Sequence, residues 1–138
     1  MNSILNKYST KGSFEFLKNE TLAKKCNAPK DNVGVYLVYD AKSNLIYIGC
    51  SGWLNQDGTL GMREGGMFDR IVDGKQFNKP RRKSWAKKMN EQNIDKIKVE
   101  WYLTFDKKIS DIPAYVESIL LQMFFNKQKV LPIWNKCF

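Results

Sequence analysis

The chain contains no histidine, and its three cysteines, Cys26, Cys50 and Cys137, are odd in number and form no C-x-x-C pair. A disulfide framework is therefore not the expectation, and reduced thiols in a cytosolic setting are. Zinc finds neither imidazole nor clustered thiolate, so a catalytic metal would need oxygen ligands, which suits magnesium or manganese. No apolar run reaches membrane-spanning length, and Met1 to Thr10 holds no apolar stretch of secretory-signal type. The expectation is a cytoplasmic protein without a membrane partner. Acidic residues are also scarce, 14 against 23 Lys and Arg, which leaves a net charge of +9. An imbalance of that size speaks about partners, and polyanions lead the list.

At 138 residues the chain fits one domain with a real core. Gly34-Val35-Tyr36 and Tyr47-Ile48-Gly49 stand ten residues apart, in short β-branched and aromatic segments separated by Asp40 to Asn44. That is the pattern of a β-hairpin. Alternation puts Tyr36 on one face with Val38, and Tyr47 on one face with Leu45 and Gly49. Pairing would bring two phenols to one surface, beside a glycine where backbone can approach a ligand. The plainer reading is an aromatic hairpin whose tyrosines only pack.

Before the hairpin, Met1 to Lys11 reads as a loose arm. Ser13 reads as the cap of a helix running to about Cys26, with Phe14, Leu17, Leu22 and Cys26 inward. Asn27 to Asn32 breaks it. This divides the chain into an arm and helix at 1–32 and a core at 33–138. After the hairpin, seven of the nine glycines fall between Gly49 and Gly74. Residues 50–66 read as an exposed loop, either a flexible insert beside a site or plain surface, with a turn at Asn55 to Gly58. Met67 to Asp73 reads as a short helix stopped at Gly74. Gln76 to Lys83 reads as a linker, and Ser84 as the cap of a helix to about Asn93. Ile97 to Phe105 alternates as a third strand, with Trp101 and Leu103 on one face. A strongly apolar helix follows over Ala114 to Asn126. The expected class is α+β, a small three-stranded antiparallel sheet flanked by helices.

Three features point to chemistry. Lys75, Lys79, Arg81, Arg82, Lys83, Lys87 and Lys88 form a run of seven bases without an acid. It reads as a nucleic-acid phosphate track, or else as a solvated basic helix. Glu117 has apolar residues at helical spacing around it, namely Ala114, Leu120 and Leu121. A carboxylate there either binds metal, reaches solvent at the edge of the face or pairs with a lysine. Arg70 follows Phe68 and precedes Ile71, so a helix anchored by apolar residues would fix it to clamp a phosphate. Arg63 is its rival.

The ordered set of the two tripeptides, a helical arginine, Glu117 and Pro132-Ile133-Trp134-Asn135 resembles the GIY-YIG nucleases, from about Val33 to Asn135. The resemblance implies metal-dependent hydrolysis of DNA, duplex DNA above all, though RNA also stays open. Tyr36 would deprotonate or orient the attacking water, and Tyr47 would position water or phosphate. Arg70 would stabilise phosphoryl charge, and Glu117 would hold Mg2+ or Mn2+. Asn135, with Gly34 and Gly49, would keep the site in shape. A nearby cation, Arg70 or Lys75, would pull the phenol's pKa down. Two departures stand out. Twenty residues separate Gly49 from Arg70, thirteen separate it from Arg63, and the family's usual histidine is missing, with Lys75 the nearest replacement. Gly65-Gly66 favours Arg70 by interrupting any helix through Arg63. Cutting both strands would call for two sites, hence a homodimer or sequential nicking. A catalytically inactive nucleic-acid-binding module of the same fold is the alternative.

Overall fold

A computed structural model describes residues 1–138. Its elements are α1 (Asn2–Leu5), β1 (Lys11–Leu17), α2 (Leu22–Lys25), β2 (Val33–Asp40), β3 (Leu45–Ser51), β4 (Trp53–Leu54), β5 (Leu60–Gly61), α3 (Gly66–Asp73), β6 (Lys75–Gln76), β7 (Lys79–Pro80), α4 (Arg81–Glu91), β8 (Lys96–Phe105) and α5 (Pro113–Gln128). The class is α+β in a single compact domain. The main sheet has four antiparallel strands in the order β1-β8-β2-β3, not three.

The fourth strand comes from the segment read as a helix. In β1 the side chains of Phe14 and Phe16 are buried while Ser13, Glu15 and Leu17 face out, a period of two. Its partner is β8, with Phe14 opposite Val99 and Phe16 opposite Ile97. The first 32 residues are thus a short helix, an edge strand and a second short helix, with Leu5 packed in the cluster on the α5 side and Phe14, Phe16 and Leu22 in the cluster on the other face of the sheet. The arm is not loose either. Leu5 and Tyr8 are buried, and Tyr8 Oη donates to Asp111 Oδ2 at 2.8 Å.

Residues of the central strands are enclosed from both sides. Tyr36, Val38, Val99 and Leu103 face α3, α4 and Trp134, whereas Val35, Leu37 and Ile48 face α1 and α5. The β2–β3 pairing sets Tyr36 opposite Gly49 and Val38 opposite Tyr47. The register then shifts so that Tyr39 faces Leu45, which leaves Ile46 as a bulge. Leu45 therefore packs on the α5 side, away from Tyr47 and contrary to strict alternation.

Residues 50–66 are not a structureless loop. β3 continues to Ser51, and β4 and β5 form a short hairpin closed by Asn55 to Thr59, whose backbone N–H groups meet the Asn55 carbonyl and the Asp57 carboxylate. The basic linker folds as well. β6 and β7 pair around Phe77-Asn78, both with positive φ (56° and 69°), as a two-residue type I′ turn requires. α4 starts at Arg81 after Pro80, so Ser84 lies buried inside the helix and is not its cap. No helix is long and apolar enough to cross a membrane.

Candidate active site

β3 is an edge strand, and its outward backbone groups are met one after another. The Trp134 N–H donates to the Ile46 carbonyl at 2.8 Å. The Asn135 side chain takes both groups of Ile48, with Oδ1 accepting from the N–H and Nδ2 donating to the carbonyl, each at 3.0 Å. Arg70 Nε donates to the Cys50 carbonyl at 3.4 Å. Two residues singled out in the sequence, Asn135 and Arg70, thus flank the same stretch of strand. Arg63 instead pairs with Asp69 at the surface.

Gly49 is small because the phenols need its space. A Cβ there would lie 2.7 Å from Tyr36 Cζ and Oη and from Tyr47 Cε2. The two rings tilt together at 6.1 Å between centroids. Gly34 has an equally strict neighbour, since its Cβ would come within 1.9 Å of the Tyr102 carbonyl oxygen on β8.

Tyr36 is fully enclosed, and its hydroxyl has no hydrogen-bond partner. Burial pushes this phenol above its ordinary value, and the pull of Arg81 and then Arg70 does not offset it. The expected cation-lowered phenol is therefore corrected: Tyr36 is a neutral hydroxyl. Tyr47 is half-buried and keeps an edge towards solvent.

The cations beside the phenols are Arg81 and the expected Arg70, not Lys75. Lys75 stands exposed on β6 and is not among the groups acting on Tyr36. Arg81 is 1% exposed, so it is no part of a surface phosphate track. Its Nη2 donates to Tyr47 Oη at 3.0 Å, Nη1 to the Arg70 carbonyl at 2.6 Å and Nε to Gln76 Oε1 at 2.9 Å. Its guanidinium carbon lies 5.4 Å from the centroids of both tyrosine rings. The helical spacing carried a usable signal. Arg81, Ser84, Trp85 and Met89 share one face of α4, and the last two are apolar. The remaining bases of the run are largely exposed, with Arg82 held by Asp73 at 2.7 Å.

Glu117 approaches from α5, on the other side of the edge. It is half-buried and takes part in no ion pair. Burial raises its pKa, against the lowering effects of Cys50, Arg70 and Arg81. Burial and the Glu117 carboxylate push the neighbouring Cys50 thiol up to about 12, so Cys50 stays protonated at neutral pH. No three His, Cys, Asp or Glu side chains converge on a common point anywhere in the chain. The donor set fits a hard cation that takes one protein carboxylate and completes its shell with phosphate oxygens and water.

A hollow of about 290 Å³ opens beside Arg70, lined also by Cys50, Gly52, Trp53 and Arg63. A cavity of about 840 Å³ lies between the amino terminus, the β2–β3 turn and α5, and none of the candidate site residues lines it. No family model, curated protein or solved structure matches the chain.

Proposed function

We propose that the protein is a metal-dependent nuclease that hydrolyses DNA phosphodiester bonds in the manner of the GIY-YIG nucleases. One observation carries the reading. A phenol pair, two guanidinium groups and an unpaired carboxylate, drawn from β2, β3, α3, α4 and α5, gather around the end of edge strand β3. Packing alone does not require that set.

In this reading a water attacks phosphorus, the bond to the leaving oxygen breaks, and that oxygen departs with a proton. Tyr47, whose phenol oxygen already accepts a hydrogen bond from Arg81, orients the water or the phosphate. Tyr36 supports it as a neutral hydroxyl. Arg70 offsets charge on the phosphoryl oxygens, as a guanidinium suits. Glu117 would hold Mg2+, or Mn2+, which supplies neutralisation of charge at the leaving oxygen.

A nucleic-acid-binding module without turnover is the second reading, and the complete enclosure of the Tyr36 hydroxyl favours it. Conversion of supercoiled plasmid to nicked or linear form with magnesium, beside EDTA and Glu117→Ala, separates the two. Cutting that needs magnesium and Glu117 supports the nuclease. Binding without cutting, on varied genomic DNA as well, supports the module.

A further inference from the structure

Beside Tyr47, two hollows adjoin. One, about 230 Å³, is lined by Tyr47, Gln76, Phe77, Asn78, Asn135 and Lys136, among others. The second, about 240 Å³, is lined by Asn78, Lys79, Ser84, Lys87, Lys88 and Lys136, with Phe77 and Glu91. Phe77, Asn78 and Lys136 belong to both, so they form one trough from Tyr47 to the outer face of α4.

The trough is strongly basic. Four lysines, Lys79, Lys87, Lys88 and Lys136, face one carboxylate, Glu91. Lys88 alone reaches that carboxylate, at 4.0 Å, while Lys79, Lys87 and Lys136 form no ion pair. Like charges gathered around one hollow repel one another unless an anion enters it. Ser84 adds a buried hydroxyl without a partner. The wall is also firmly built. The Phe77 ring meets Trp134 edge-on at 5.6 Å, and Lys88 Nζ lies 4.9 Å over the same ring. An aromatic residue at positive φ is uncommon; the β6–β7 turn requires it here, and the ring packs on the fully buried Trp134.

We propose that this trough binds the phosphates of the nucleic-acid strand next to the one that reaches Arg70, with Lys136 at its centre. The identity of the anion rests on the nuclease reading, whereas the trough and its charge do not. The basic run thereby divides by function. Lys79, Lys87 and Lys88 face the trough, Lys136 joins them from the carboxyl-terminal tail, Arg81 is internal, and Arg82 is tied to Asp73.

The test is equilibrium binding of a fluorescent DNA duplex in EDTA, where no cutting occurs, over a series of salt concentrations. Lys136→Gln and Lys87→Gln alter exposed side chains, so folding is not at stake. Each should lower the slope of log affinity against log salt by about 0.9, the value of one lost phosphate contact. Lys107→Gln, an exposed lysine outside the trough, should leave the slope unchanged. A wild-type slope retained in both trough variants overturns the proposal and leaves the nuclease reading standing. A wild-type protein that does not bind DNA overturns both.

Discussion

Arg81 Nη2 donates to the Tyr47 phenol oxygen at 3.0 Å from a guanidinium that is buried without an acidic partner. All three of its nitrogens serve uncharged acceptors: a phenol, a backbone carbonyl and the Gln76 amide. Burying a charge without a counter-ion costs several kcal/mol, and the fixed fork geometry suits these three acceptors as an ammonium would not. Arg81→Lys should therefore release Tyr47 and lower stability by about 2–3 kcal/mol. In the protein that remains folded, cleavage should fall about 100-fold, a loss expected when reacting groups are misplaced. Thermal unfolding and single-turnover cleavage check the two effects. Unchanged cleavage by the folded variant would show that Arg81 does not position Tyr47.

The two motif glycines should differ in tolerance. At Gly34 an added Cβ meets the backbone oxygen of Tyr102 at 1.9 Å, whereas at Gly49 it meets tyrosine side chains at 2.7 Å. Rings can move by a few tenths of an ångström and a paired strand cannot. Gly49→Ala should cost about 1–3 kcal/mol, the usual range for overpacking, and Gly34→Ala more. Urea unfolding of both variants would reveal the order, and the reverse order would contradict the register.

Asn135 closes the outer edge of β3 by holding both backbone groups of Ile48. Asn135→Asp keeps the acceptor for the N–H but sets a carboxylate against the carbonyl. Asn135→Ala removes both bonds. Each should lose about 1–3 kcal/mol, since the Ile48 carbonyl loses its donor in both variants and the N–H also loses its acceptor in Asn135→Ala. Amide hydrogen exchange at Ile48 gives a local reading: faster exchange in Asn135→Ala than in wild type is expected.

The Glu117 carboxyl is raised by burial, so protonation favours the folded state. A carboxyl with a raised folded pKa contributes stability below its unfolded value, near the ordinary glutamate value of about 4.3. That contribution is lost as pH rises through the folded value. Relative to Glu117→Gln, wild type in EDTA should thus lose stability as pH climbs from the ordinary glutamate value, then run parallel once the folded carboxyl is ionised. Magnesium at neutral pH should raise the unfolding midpoint of wild type and leave that of Glu117→Gln unmoved. Equal magnesium effects on both would remove Glu117 as the metal ligand.

Much of the site's frame was legible because it is local. The β2–β3 hairpin joins strands close in sequence, and a period of two is enough to set Tyr36 beside Tyr47 and Gly49. Likewise the stop at Gly74 and the strand over Ile97 to Phe105 follow from backbone chemistry and alternation within a few residues. The bulge at Ile46 was not legible, because strict alternation carries no sign of an extra residue.

What the sequence by itself determined was the α+β class, the paired tyrosines and the apolar helix that carries Glu117. Only the tertiary structure decided that Ser13 belongs to a strand, because the partner that satisfies β1, β8, lies at the far end of the chain. It likewise turned Arg81 inward and left Lys75 outside. Composition counts both as surface charge, but packing Trp85 and Met89 against the sheet side of α4 carries Arg81 with them to the phenols. Periodicity within one element ranks its faces, and only contacts between distant elements choose which face is buried and which groups meet there.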